Sequence, residues 1–278
     1  MNTSSIDTRL SPLAYAWHSR KREWTSLSFR RHRQFDVFFV TMHQSGTHWL
    51  KYLVTLTLVK DRGLPEPRSI SDNIAIGGPR EREPYVQQPR LGQSHTIASP
   101  LLKSAIRWTP ERYPRYVILV RDIRDVLLAH YRKWQDRYGC SFSEYLRGDV
   151  THRRFEKDVW WDFRFLNAWG AIHARFPDRV SVIHYESLVG DTPGVLNKLI
   201  DFAGIELDDR PAAIAYAIDG ADKGRMAAKD EQPYGMSVVN HDRRSWADWY
   251  AEPDRAWLRE TCQRYLKFPF GYDYERWP

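Results

Sequence analysis

FDVFFVTMHQSGTHW, running from Phe35 to Trp49, is the stretch on which the reading of this chain turns. Phe35 to Val40 is short, aromatic and β-branched, which predicts a buried strand. From about Thr47 to Val59 the pattern predicts a helix. The loop between them carries Ser45 and Gly46. A strand, a tight glycine-containing turn and a helix aim backbone N–H groups and the positive end of a helix dipole at one point, the arrangement that holds a phosphate or sulfate. Gly46 lets a ligand approach the backbone closely, and Ser45 and Thr47 add hydroxyl donors. The loop has neither the Gly-x-x-x-x-Gly-Lys pattern of P-loop NTPases nor the three glycines of a dinucleotide fold. By itself it reads equally well as an ordinary strand-to-helix turn capped by Ser or Thr.

Further along, Asp61 to Gln93 is rich in Pro, Gly and Arg and reads as loops around a site. Tyr116 to Val120 is a second buried strand, followed at once by Arg121-Asp122-Ile123-Arg124-Asp125 and an amphipathic helix to about Arg137. Val159 to Phe176 reads as a helix, Val180 to Tyr185 as a strand, Thr192 to Ala203 and Pro253 to Leu266 as helices. This alternation predicts an α/β fold with a central, mainly parallel sheet flanked by helices. The 278 residues are read as one domain, with a basic N-terminal segment over 1–34 and a candidate lid over 220–245.

At 42% hydrophobic residues the chain can bury a sizeable core. Its net charge of +7 favours polyanionic partners. The arginines are spread along the whole chain and no nucleic-acid recognition module is present, so a phosphorylated small molecule is preferred to nucleic acid. Cys140 and Cys262 are far apart and lack metal-type spacing, which fits a reducing compartment. The start of the chain has no apolar run after basic residues, and the longest apolar runs are strand-sized. A cytoplasmic protein with no membrane partner is therefore expected.

Three motifs together resemble the cytosolic and bacterial sulfotransferases. Met42-His43-Gln44-Ser45-Gly46-Thr47-His48-Trp49 is similar to the family's Tyr-Pro-Lys-Ser-Gly-Thr-Thr-Trp loop. That loop binds the 5′-phosphosulfate of 3′-phosphoadenosine 5′-phosphosulfate (PAPS). The resemblance implies that groups around Gln44, Ser45, Gly46, Thr47 and His48 hold the 5′-phosphate and that Trp49 stacks on adenine. Arg121-Asp122-Ile123-Arg124-Asp125-Val126 resembles the family's second anion motif and puts Arg121 on the 3′-phosphate. The family's Ser, eight residues on, is Ala129 here. His184-Tyr185-Glu186-Ser187-Leu188 looks like its Tyr-Glu-Asp/Ser-Leu element and brings Tyr185 to the adenine. Arg243 and Arg244, with Lys223 and Arg225 behind them, correspond loosely to the family's C-terminal 3′-phosphate cover. The resemblance runs from about Phe35 to Tyr272. It implies PAPS as co-substrate, 3′,5′-bisphosphate (PAP) as product, a small-molecule acceptor and no metal.

Sulfuryl transfer is an in-line displacement in which the acceptor hydroxyl must lose a proton, a task suited to histidine. The family uses the His of a Lys-Thr-His segment between the two anion loops. Gln93-Ser94-His95 matches it, making His95 the expected base. Two departures stand out. The family's loop lysine is Gln44, and the lysine of Lys-Thr-His is Gln93. Glutamine can donate to the same oxygens without charge, and charge-assisted bonds are about twice as strong. Candidate replacement donors are His48 on the loop, then His43, Lys103 or an arginine of the 80–90 segment. Two functions follow from the resemblance: an active PAPS-dependent sulfotransferase, or a sulfotransferase-fold nucleotide-binding protein whose transfer chemistry is altered or lost.

Overall fold

The computed structural model describes residues 14, 15, 17, 27–72, 74–80, 89–151, 153–229 and 248–277. Arg243, Arg244, the greater part of the candidate lid, most of segment 1–34 and residues 81–88 lie outside them.

Five strands form one parallel sheet: β1 Val37–Thr41, β2 Ile76–Gly77, β3 Leu91–Ser94, β4 Arg115–Val120 and β5 Val180–His184, in the order β2-β3-β1-β4-β5. Ten helices among the described residues complete the α/β arrangement: α1 Thr47–Arg62, α2 Pro100–Trp108, α3 Ile123–Tyr138, α4 Phe142–Arg147, α5 Val159–Arg175, α6 Tyr185–Gly190, α7 Thr192–Ala203, α8 Arg210–Gly220, α9 Lys223–Ala228 and α10 Glu252–Tyr265. None of them is long and apolar enough to cross a membrane.

Both faces of the sheet are covered, which is why its central strands read as unbroken apolar runs. Phe38 and Val40 of β1 face one core with Tyr116, Ile118 and Val120 of β4. Val37 and Phe39 face the other with Val117 and Leu119. The second core is filled by Leu50, Leu53 and Leu56 of α1 and by α7 and α8, and α1 packs directly on α8.

The stretch 61–93, expected to be loop throughout, contributes two strands. β3 was hidden because its sequence, Leu-Gly-Gln-Ser, has no apolar run. Gly92 is required there: a Cβ would lie 2.7 Å from the Phe38 ring and 2.8 Å from that of Phe35. Register is pinned where the strand begins. Arg90 forks onto Asp36 at 3.0 and 2.8 Å, and the guanidinium holds the Asp36 carboxyl below its usual range.

The order in which strands are added reverses at β1, with β2 and β3 on one side and β4 and β5 on the other. Such switch points leave a crevice beyond the carboxyl ends of the strands, where ligands of open α/β sheets bind. The chain continues from β1 into the Ser45–Gly46 loop, from β3 into His95, from β4 into Arg121 and from β5 into Tyr185.

Candidate functional site

These four strand ends open on one cavity of about 670 Å³. His43, Gln44, Gly46, Thr47, His48 and Trp49 line it from β1, His95 from β3, Arg121 from β4 and Tyr185 from β5. The sequence-predicted residues among the described ones thus converge, except that Ser45 is buried and is not part of the lining, while Arg243 and Arg244 lie outside the described residues.

The loop is not a hydroxyl-capped turn. Gln44 has φ 57° and Gly46 φ 88°, both in the left-handed region. Such excursions curl successive N–H groups toward one side, the concavity that receives phosphates. A side chain at Gly46 is excluded, since its Cβ would stand 2.6 Å from the Tyr185 ring. Side chains of Ser99, Asp122, Asp158, Asp191 and Asp209 cap α2, α3, α5, α7 and α8. No side chain caps α1, and its first turn holds no acid. Its leading N–H groups therefore border the cavity without a side-chain acceptor. The hydroxyls expected to help are turned inward. Ser45 donates to Met42 O at 2.6 Å, and Thr47 to the Thr41 hydroxyl at 2.9 Å.

Nδ1 of His95 lies 2.9 Å from Thr41 O. A carbonyl only accepts, so Nδ1 carries the ring proton and Nε2 keeps a lone pair. Burial depresses the His95 pKa to about 4; the Thr41 bond opposes this in part, while Lys157, His48 and Lys51 add to it. His95 is therefore neutral at physiological pH. A bound anion beside it would favour the imidazolium and raise that value.

Arg121 donates to Gln44 O at 3.0 Å, stacks over the Tyr185 ring at 4.3 Å and faces Asp125 at 3.7 Å. Its buried Nε has no partner among the described residues. Trp49 and Tyr185 meet edge-on at 6.3 Å beside Val189, Ala221 and Met226, giving one apolar, aromatic end. Trp49 Nε1 is tied to Ala221 O at 3.2 Å. Arg124 of the second motif is structural: it forks onto Asp122 and reaches Arg276 O at 2.8 Å.

The two glutamines part company. Gln44 borders the cavity, whereas Gln93 donates to Thr41 Oγ1 at 3.0 Å. Of the suggested replacements, His43 and His48 line the cavity. Lys103 is exposed on α2 and is not among the lining residues, and Arg90 is spent on Asp36. Arg225 pairs with Asp219 on the surface.

Sequence reasoning overlooked Lys157, His130 and Lys133. Lys157 is fully buried, pairs with Asp162 at 3.1 Å and donates to His43 O at 3.2 Å. This puts a positive charge behind a loop that carries no lysine. The His43 ring stacks on His95 at 4.0 Å and meets His130 at 6.5 Å. Burial holds the pKa of His43, like that of His130, far below the ordinary value. Nothing in the local sequence marks Lys157. His130 and Lys133 lie beyond the Arg-Asp motif, and helical spacing from Ala129 is the signal that could have found Lys133.

A family model described as "Sulfotransferase domain" matches residues 34–214. Rat sulfotransferase 2A2 is 27% identical over 187 residues, covering 62% of this chain and 60% of the relative. Mouse sulfotransferase 2A6 is 25% identical over 230 residues, 75% of this chain and 71% of the relative. The chain thus spans about 60% of the length of the rat protein it matches. Among solved structures, mouse sulfotransferase SULT7A1 complexed with PAP superposes with a TM-score of 0.56 at 16% identity, covering 87% of this chain and 90% of that one. A retinol dehydratase in complex with androsterone and PAP gives 0.54 at 15% identity, with 91% and 85% covered. At such identities the likeness speaks for the fold.

Proposed function

The chain belongs to the sulfotransferase family, and on that premise we propose that it moves a sulfuryl group from PAPS to a hydroxyl or amine of a small-molecule acceptor. One observation carries this reading. An uncapped helix N-terminus, an arginine with an unpartnered Nε and an imidazole with a free lone pair border the same cavity. The residues fit the nucleotide: anion donors gather at the loop and at Arg121, with the aromatic pair Trp49 and Tyr185 beside them.

PAPS supplies the activated sulfuryl group and a bisphosphate leaving group. In the proposed site, backbone N–H groups from Gln44 to His48 hold the 5′-phosphate. Arg121 binds the 3′-phosphate, with Arg243 and Arg244 assigned to it by resemblance alone. Trp49 and Tyr185 flank the adenine. Gln44 and His48 donate to oxygens of the transferring group, and Lys157 adds positive potential from behind His43. Nε2 of His95 takes the acceptor proton, while the Thr41 carbonyl fixes its tautomer and orientation. Transfer by this route calls for no metal. The acceptor is a soluble small molecule and the proposed setting is the cytoplasm.

The direct test is incubation with sulfur-labelled PAPS and a panel of phenols, alcohols and amines. Label transferred by the wild type and lost in His95→Ala supports the reading. Binding of PAP without transfer to any acceptor would favour the alternative, a nucleotide-binding protein with lost chemistry, to which Gln44 and Gln93 already point.

A further inference from the structure

Past the histidine pair, the cavity wall is made by His130, Lys133 and Trp134 of α3 and by Glu156. His130 meets the ring of His43, which stacks on His95, so this stretch of wall adjoins the histidine pair. Resting on the proposed transfer, an acceptor presented to His95 would occupy this end.

The charges here are unevenly matched. Arg121 faces Asp125, Lys157 is paired with Asp162, and Glu156 reaches Arg137 at 3.9 Å. Lys133 has no ion-pair partner among the described residues. It is half-buried, with its ammonium 5.9 Å from the Trp134 ring, and it acts electrostatically on both His43 and His130. His130 is only 3% exposed. Its Nε2 meets the Tyr138 hydroxyl at 2.9 Å, and its Nδ1 has no partner. In the tautomer whose Nε2 accepts the Tyr138 phenol proton, the imidazole proton sits on Nδ1 as an unused donor. A buried donor left unpaired is costly, and an anionic ligand group satisfies it.

We infer that the acceptor carries an anionic group, held by Lys133 and by Nδ1 of His130, on an aromatic or otherwise flat skeleton resting against Trp134. The acceptor class is therefore a hydroxyaryl carboxylate or a similar acidic hydroxy compound. A neutral alcohol would leave both donors unanswered.

The test compares 4-hydroxybenzoate with 4-hydroxybenzamide, which differ in charge and little in shape. Binding is measured by calorimetry on the full chain, with and without PAP. The carboxylate should bind at least about tenfold more tightly than the amide, as expected for a charge-assisted contact. Lys133→Met should bring that ratio close to one, and Glu156→Gln should raise carboxylate affinity. Equal or tighter binding of the amide by the wild type overturns the inference. So does a Lys133→Met variant that weakens PAP while keeping the carboxylate preference, since Lys133 would then serve the nucleotide. Failure to bind PAP counts separately, against the transferase reading, and the ratio on nucleotide-free protein still decides the acceptor subsite.

Discussion

Nδ1 of His95 lies 2.9 Å from the backbone oxygen of Thr41, so the last residue of β1 fixes the tautomer of a histidine that follows β3. His95 and the loop after β1 are thereby locked to the same strand end. His95→Ala should cut transfer roughly a hundred- to ten-thousand-fold, the range for a positioned general base, while PAP affinity changes little. Steady-state kinetics paired with nucleotide titration checks both halves.

The acidity of that histidine sets a pH dependence. Burial and neighbouring cations favour the neutral ring, so kcat/KM should stay level down through pH 6 and fall only near pH 4. Lys157 is one of those cations. Removing it lets the imidazolium persist to higher pH, so the acid limb should move upward. Lys157→Met combined with Asp162→Asn avoids leaving a lone buried carboxylate. Circular dichroism across the same range separates the limb from acid unfolding.

Gly46 and Gly63 make a controlled pair. Both have positive φ, 88° and 60°, but only Gly46 has a ring against the Cβ position. Gly63→Ala should cost about 1 kcal/mol of stability from its left-handed backbone alone and leave nucleotide binding intact. Gly46→Ala should add displacement of Tyr185 and abolish PAP binding. Denaturant unfolding and calorimetry read the two effects.

Much of this site was legible in the sequence because its elements are locally encoded. β1 and β4 are apolar runs buried on both faces, β5 is a partly buried edge strand, Arg121 and Tyr185 follow β4 and β5 directly, and Gly46 lies in the short loop after β1. β3 was not legible, since Gly92 and Gln93 serve the Phe35 and Phe38 rings and Thr41, contacts made across the sheet. The same holds for Lys157. Its partner Asp162 is close in sequence, but its position behind His43 is set by packing of α5 against the sheet. The inward turn of the Ser45 and Thr47 hydroxyls was likewise invisible.

On the proposed reading, substitution of Gln44 separates a working transferase from a weakened one. It borders the cavity with φ 57°, a conformation that lysine adopts at similar cost. Gln44→Lys should raise kcat about tenfold by adding a charge-assisted donor at the leaving group. A fall in kcat in single-turnover kinetics would mean that the amide belongs to an arrangement which a cation disturbs.

The central claim is that the crevice beyond β1, β3, β4 and β5 binds the adenosine bisphosphate. Calorimetric titration of PAP into the protein tests it most directly. One-to-one binding with a Kd in the micromolar range or tighter, weakened at least about tenfold by Arg121→Ala as for loss of a charge-assisted contact, is the predicted result. No binding at millimolar PAP by folded wild-type protein would contradict it.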